Sequence, residues 1–137
     1  MLRRLVLGLA LLGAGACEAS RVGPETVPNG TWGGDDAGLI VTSEAAHAHI
    51  GCTLGDVAAP IALDAEGRFD LEVQWNVDAF PVDRGIRHPA RLSGRTDGHT
   101  LTLAVRLSDT GQTFGPVLLT LGTPPRMQNC PICRRGI

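Results

Sequence analysis

From Asn29 onward the chain alternates short apolar runs with turn residues, and no window carries the spacing of a long amphipathic helix. The clearest run is Arg68 to Trp75. Phe69, Leu71, Val73 and Trp75 share one face there, and Arg68, Asp70, Glu72 and Gln74 share the other. Strict alternation of this kind predicts a half-buried strand. Pro60 to Leu63 precedes it as a further strand candidate, and Asp64-Ala65-Glu66-Gly67 supplies a hairpin turn in which Gly67 suits a positive φ. A second hairpin joins Arg91–Thr96 to Thr100–Leu107 through Asp97-Gly98, with Leu101, Leu103, Val105 and Leu107 on one face. Ser108 to Gly111 then turns into Thr113–Leu121, where Pro116 suits an edge or a bulge. Upstream, Thr31–Gly34, Leu39–Thr42 and Ala46–Cys52 complete a set of about eight short strands at the spacing of a barrel or sandwich. The prediction is all-β: a small antiparallel meander barrel, with a sandwich as the alternative.

The first residues follow a different pattern. Met1-Leu2-Arg3-Arg4 is basic, and the apolar run Leu5 to Ala16 falls short of the ~20 residues that span a bilayer as a helix. Residues 1–16 therefore read as a signal peptide. Ala14-Gly15-Ala16-Cys17 resembles a bacterial lipobox, with Ala14 where leucine is usual. The resemblance implies that Cys17 carries a diacylglycerol and starts the mature chain. The bilayer is then a partner through an N-terminal acyl anchor, on the extracytoplasmic side of the bacterial cell envelope. Ala14-x-Ala16 also satisfies ordinary signal peptidase, and the alternative is a secreted soluble protein. Residues 17–28, polar and interrupted by Pro24 and Pro28, read as the lipidated cysteine and a flexible tether. Residues 29–137 read as a single β domain with a C-terminal tail.

Composition narrows the picture. The chain has 137 residues, 12 basic residues (all arginine) against 14 acidic ones, and a net charge of −2. One domain fits that length. A nearly neutral chain without a basic stripe excludes nucleic-acid binding as the main role, and a hydrophobic fraction of 43% excludes disorder. Cleavage before Cys17 would remove Arg3 and Arg4 and no acid, taking the charge from −2 to −4.

Outside the cytoplasm, cysteines default to disulfides. Cys52, on the alternating face of Ala48 and Ile50, is expected to point inward and to pair with Cys130, with Cys133 as the alternative. Cys130-Pro131-Ile132-Cys133 carries the spacing of a thiol oxidoreductase, but no βαβ pattern precedes it. No enzyme is therefore expected, thiol redox through this C-x-x-C being the alternative. His47 and His49 lie on one strand face and Cys52 on the other, so no metal set and no other cofactor is expected. His47, His49, His88 and His99 read as solvent-facing. Asn76 to Pro89 is the long irregular connection, and Arg84, Arg87, His88 and Arg91 around it form a basic cluster. It is a possible ligand loop for an anionic ligand or lipid headgroup.

Gly30-Thr31-Trp32 resembles the G-x-W that opens the first strand of lipocalin- and avidin-like barrels. That likeness implies Trp32 at the barrel floor, with Arg126 stacked on it by a cation–π contact. More widely, the chain resembles small bacterial lipoproteins that carry no established activity. The likeness rests on Gly30 to Asp35, Asp64-x-x-Gly67-Arg68-Phe69, Pro89-Ala90-Arg91-x-Ser93-Gly94, Thr100-Leu101-Thr102-Leu103, and Pro125-Arg126 with Cys130. The expected role is a membrane-tethered binding or interaction module. The alternatives are a lipocalin-like carrier of a small apolar or anionic ligand and a structural envelope protein.

Overall fold

The computed structural model describes Gly15 and residues 23–130. Alternating apolar residues and tight turns produce eight strands: β1 (Gly30–Gly34), β2 (Ala37–Val41), β3 (Ala45–Ile50), β4 (Thr53–Ala58), β5 (Arg68–Asn76), β6 (His88–Thr96), β7 (Thr100–Leu107) and β8 (Thr113–Leu121). Each pairs antiparallel with the next, and β8 returns to β1 through Trp32↔Leu121 and Gly33↔Thr120. The result is a closed all-β meander barrel. Closure removes the unpaired edges that an open sheet of this size would expose.

The inward rows hold Trp32, Leu39, Val41, Ile50, Phe69, Val73, Trp75, Leu92, Leu119 and every second residue of Leu101 to Leu107, all in one buried cluster. Eight strands leave an interior about as wide as side chains can fill, and here they fill it. Large and small residues interlock: a Cβ on Gly55 would sit 2.5 Å from Cε3 of Trp75, its register partner on β5.

The strand count matches the sequence pattern, but one member differs. Pro60–Leu63 is not a barrel strand. It forms an isolated bridge, Thr26↔Ala62, supported by Val27 N–H to Ile61 O (3.0 Å) and Leu63 N–H to Glu25 O (2.9 Å). Val27, Ile61 and Leu63 are buried in the core, so this clip plugs the end of the barrel where β1 begins. The fold therefore starts before Asn29, and Glu25–Pro28 belong to it rather than to a free tether. The plug sits where β4 and β5 diverge, since these strands pair only through Leu54↔Asn76 and Gly55↔Trp75. The missing eighth strand is β4, and Gly51-Cys52 is the turn that leads into it.

Beyond β8 the chain reverses. Gly122 N–H donates to Thr31 O (2.8 Å), and residues 123–130 run back along the outside of β1 as a strap. Arg126 makes a parallel bridge with Asp35, its N–H donating to Gly34 O and its carbonyl accepting from Asp36 N–H, each at 3.0 Å. Gly33 and Gly38 make room for the strap. A Cβ on Gly33 would lie 2.2 Å from Thr123 O, and one on Gly38 2.4 Å from Pro125 Cγ.

Candidate functional site

Three places on the barrel carry chemistry beyond packing. The first is the β5–β6 connection, residues 77–87. Its base is pinned: buried Asn76 donates its side-chain amide to Asp83 Oδ1 (2.8 Å) and accepts from Asp78 N–H (2.9 Å). Gly85 N–H also donates to Asp83 Oδ1 (2.8 Å), and Arg87 lies 3.7 Å away. These contacts, led by the Gly85 amide, hold the Asp83 carboxyl below its ordinary range. Ala79 is buried, whereas Phe80, Val82 and Ile86 are 41%, 68% and 46% exposed. An ordered loop thus presents three large apolar side chains to solvent.

The basic cluster expected around this loop is dispersed. Arg91 lies on β6 with Nε donating to Asp70 Oδ1 (2.9 Å) and a second nitrogen 3.6 Å from Glu72 Oε1. His88 Nδ1 meets Asp109 Oδ2 at 2.8 Å. Arg87 faces Asp83, and only Arg84 of the four lacks a carboxylate partner among the described residues. Arg87, His88 and Arg91 are drawn to separate carboxylates, Asp83, Asp109 and Asp70, so these three do not converge on one anion.

The second place is the strap. Arg126, expected on Trp32, instead donates from Nε to Asp35 Oδ1 (2.7 Å) on the outer surface. Trp32 is wholly buried, with Nε1 donating to Pro28 O (3.0 Å). The reversal after β8 separates the pair by carrying Arg126 up the outside of β1. Cys52 departs from expectation in the same way. It lies in the β3–β4 turn, outside the core, and packs with Met127 and Cys130. Both thiols are free in the structure; that of Cys130 is buried. Burial, then the neighbouring Cys130, pushes the Cys52 thiol up to about 11. Asp36 secures the strap end, accepting from the Gln128 amide at 2.8 Å. Cys17 and Cys133 lie outside the described residues.

The third place is the outer face of β3 and β4. His47 Nδ1 meets Asp56 Oδ1, its register partner, at 2.5 Å, and His47 Nε2 meets His49 Nε2 at 2.5 Å. The rings stand edge to face, 4.3 Å apart. His49 was expected in solvent but is only 9% exposed. Its register partner on β2 is Gly38, which carries Pro125 of the strap, so the strap runs beside the ring. Burial, then the His47 charge, lowers the His49 pKa from 6.5 to about 4, against an opposing effect of Asp56. His99 is exposed and His88 half-buried. Among the described residues, no three His, Cys, Asp or Glu side chains gather as a ligand set.

The described residues also line surface concavities of about 410, 700 and 450 Å³. One of about 410 Å³ at the plugged end is lined by Asp64, Glu66, Arg95 and Asp97. Its acids serve their own turns, Asp64 accepting from the Arg68 amide and Asp97 from those of His99 and Thr100, each at 2.8 Å. No family model, curated protein or solved structure matches the chain.

Of these features, the apolar loop tip and the Asp36–strap clasp escape a reading by residue pattern. The loop's signal lies in Phe80, Val82 and Ile86 around Pro81.

Proposed function

We propose that the protein is an exported β-barrel, anchored in the bacterial envelope by a lipid on Cys17, that acts as a binding module through the 77–87 loop. The observation that carries this reading is the division of its apolar surface. The interior is occupied by Trp32, Trp75 and the leucine rows, and the exposed large hydrophobics gather mainly on one pinned loop. A filled interior favours surface recognition over carriage of a ligand inside the barrel. Phe80, Val82 and Ile86 suit an apolar cleft on a protein partner, with Arg84 at the rim of the contact. A Cys52 thiol held at about 11 stays protonated at neutral pH, which favours a structural over a catalytic cysteine.

The test is a photo-crosslinking side chain at Val82 in intact cells, with and without Phe80→Ser and Ile86→Ser. A discrete adduct that disappears in the double variant supports the module. Adducts unchanged by the substitutions, or no adduct where labels elsewhere on the barrel give one, overturn it. The anchor is tested separately: Cys17→Ser should move the chain from the membrane to the soluble fraction, and unchanged membrane association would refute lipidation.

A further inference from the structure

We propose that His47 and His49 form a transition-metal site, with both Nε2 atoms as ligands and Asp56 orienting His47 from behind. Alternation along β3 places the two rings on the same outer face, and their Nε2 atoms converge to 2.5 Å. The opposite nitrogen of His47, Nδ1, is taken by the Asp56 carboxylate. A carboxylate on Nδ1 fixes that nitrogen as the N–H donor, leaving Nε2 with its lone pair directed at His49. This carboxylate–histidine arrangement is the one that metal-ligating imidazoles use to set tautomer, ring orientation and basicity. His49 is only 9% exposed, so the surrounding strands and strap hold its ring in place beside His47.

The distances suit a metal after a small adjustment. Two metal–nitrogen bonds of about 2.0–2.1 Å, at right or tetrahedral angles, separate the nitrogens by about 2.9–3.4 Å. The rings must therefore part by roughly half an ångström to one ångström, within reach of a small side-chain rotation. His47 lies on the open side, with its side chain 36% exposed, so water or a group from a partner can complete the coordination. Two imidazoles without thiolate select the borderline ions nickel, copper and zinc over calcium or magnesium. The site is independent of the 77–87 loop, being built on β3 and β4.

The experiment is titration of the full chain with Ni(II), followed by paramagnetic broadening of its backbone amide NMR signals and by calorimetry. Nickel is the probe because thiols do not reduce it. Broadening should centre on residues 47–49 and 56 and vanish in His47→Ala and in His49→Ala. Asp56→Asn, which keeps both ligands and removes only the orienting charge, should weaken binding roughly 10- to 100-fold. His99→Ala should leave affinity unchanged. Broadening centred on the cysteines, affinity unmoved by either β3 substitution, or no broadening at millimolar Ni(II) would overturn the site. Unchanged amide shifts elsewhere in the barrel verify that each variant is folded.

Discussion

At the scale of single residues, a close constraint inside the core is the fit of Trp75 against Gly55. A methyl at position 55 would meet Cε3 and Cζ3 of the indole at 2.5 and 2.9 Å, and Trp75 is fully buried. Gly55→Ala should therefore cost about 1–3 kcal/mol by overpacking, seen as a lower denaturation midpoint at unchanged slope. Those two atoms belong to the six-membered ring that Trp75→Phe reshapes. Trp75 Nε1 is buried without a hydrogen-bond partner among the described residues, so that replacement loses packing but no bond. The double variant should be more stable than the sum of the two single costs predicts; strict additivity would mean the contact is not the source of strain. Asp83 is constrained by charge instead. Its carboxyl, lowered from an ordinary 3.8, supports the loop above that value, and the support is lost as pH falls through the lowered one. Protection of the Gly85 amide relative to its intrinsic exchange rate should fall only below the ordinary carboxylate range, and at all pH values in Asp83→Ala. A Gly85 amide equally protected in that variant would show that other contacts pin the loop.

At the scale of elements, the sequence pattern reported burial more faithfully than it reported strands. Ile61 and Leu63 alternate as a strand would and are indeed buried, but in the plug paired with Thr26 rather than in the barrel wall. β4 was illegible because its inward positions are Thr53, Gly55 and Val57, of which only valine is a sizeable apolar residue. Gly55 is small because Trp75 fills its place, a fact that no local window contains. The strap was hidden for a similar reason. Its docking track is an absence of side chains at Gly33 and Gly38, and its ties to Asp35 and Asp36 span most of the chain. The expected partners Cys52 and Cys130 are free thiols, and the strap ends with Cys130 packed against Cys52. In an oxidising compartment these two thiols should form an intramolecular disulfide, mapped by peptide mass under non-reducing conditions. Closing a loop of roughly eighty residues should stabilise the barrel by up to about 4 kcal/mol, lost on reduction and absent in Cys52→Ser. Asp36→Ala, which frees the strap end, should slow oxidation. A map showing Cys130 joined to Cys133 would refute the clasp.

At the scale of the whole molecule, the meander fixes which features share an end. β5 runs away from the plugged end and β6 returns to it, so the 77–87 loop lies at the far end, beside the Gly51-Cys52 and 108–112 turns. The chain enters at the plugged end, where Pro24 approaches to 3.5 Å of the Cβ position of Gly98 in the β6–β7 turn. β5 and β6 are nine residues each, which at about 3.3 Å per residue and a tilt near 40° makes the barrel wall roughly 20–25 Å high. If Cys17 carries the lipid, the few residues between it and Pro24 reach at most about 20–25 Å. Attachment at the plugged end favours that end toward the bilayer, with the apolar loop presented away from it. Phe80, Val82 and Ile86 would thus meet a partner across the aqueous space rather than insert into the lipid that holds the protein. A fluorophore on Val82→Cys, with the other thiols replaced by serine, can distinguish these arrangements in the lipidated protein reconstituted in vesicles. An aqueous quencher such as iodide should quench it strongly and brominated lipid weakly. Strong quenching of the Val82 label by brominated lipid would place the loop in the membrane and make its hydrophobic tip a second anchor.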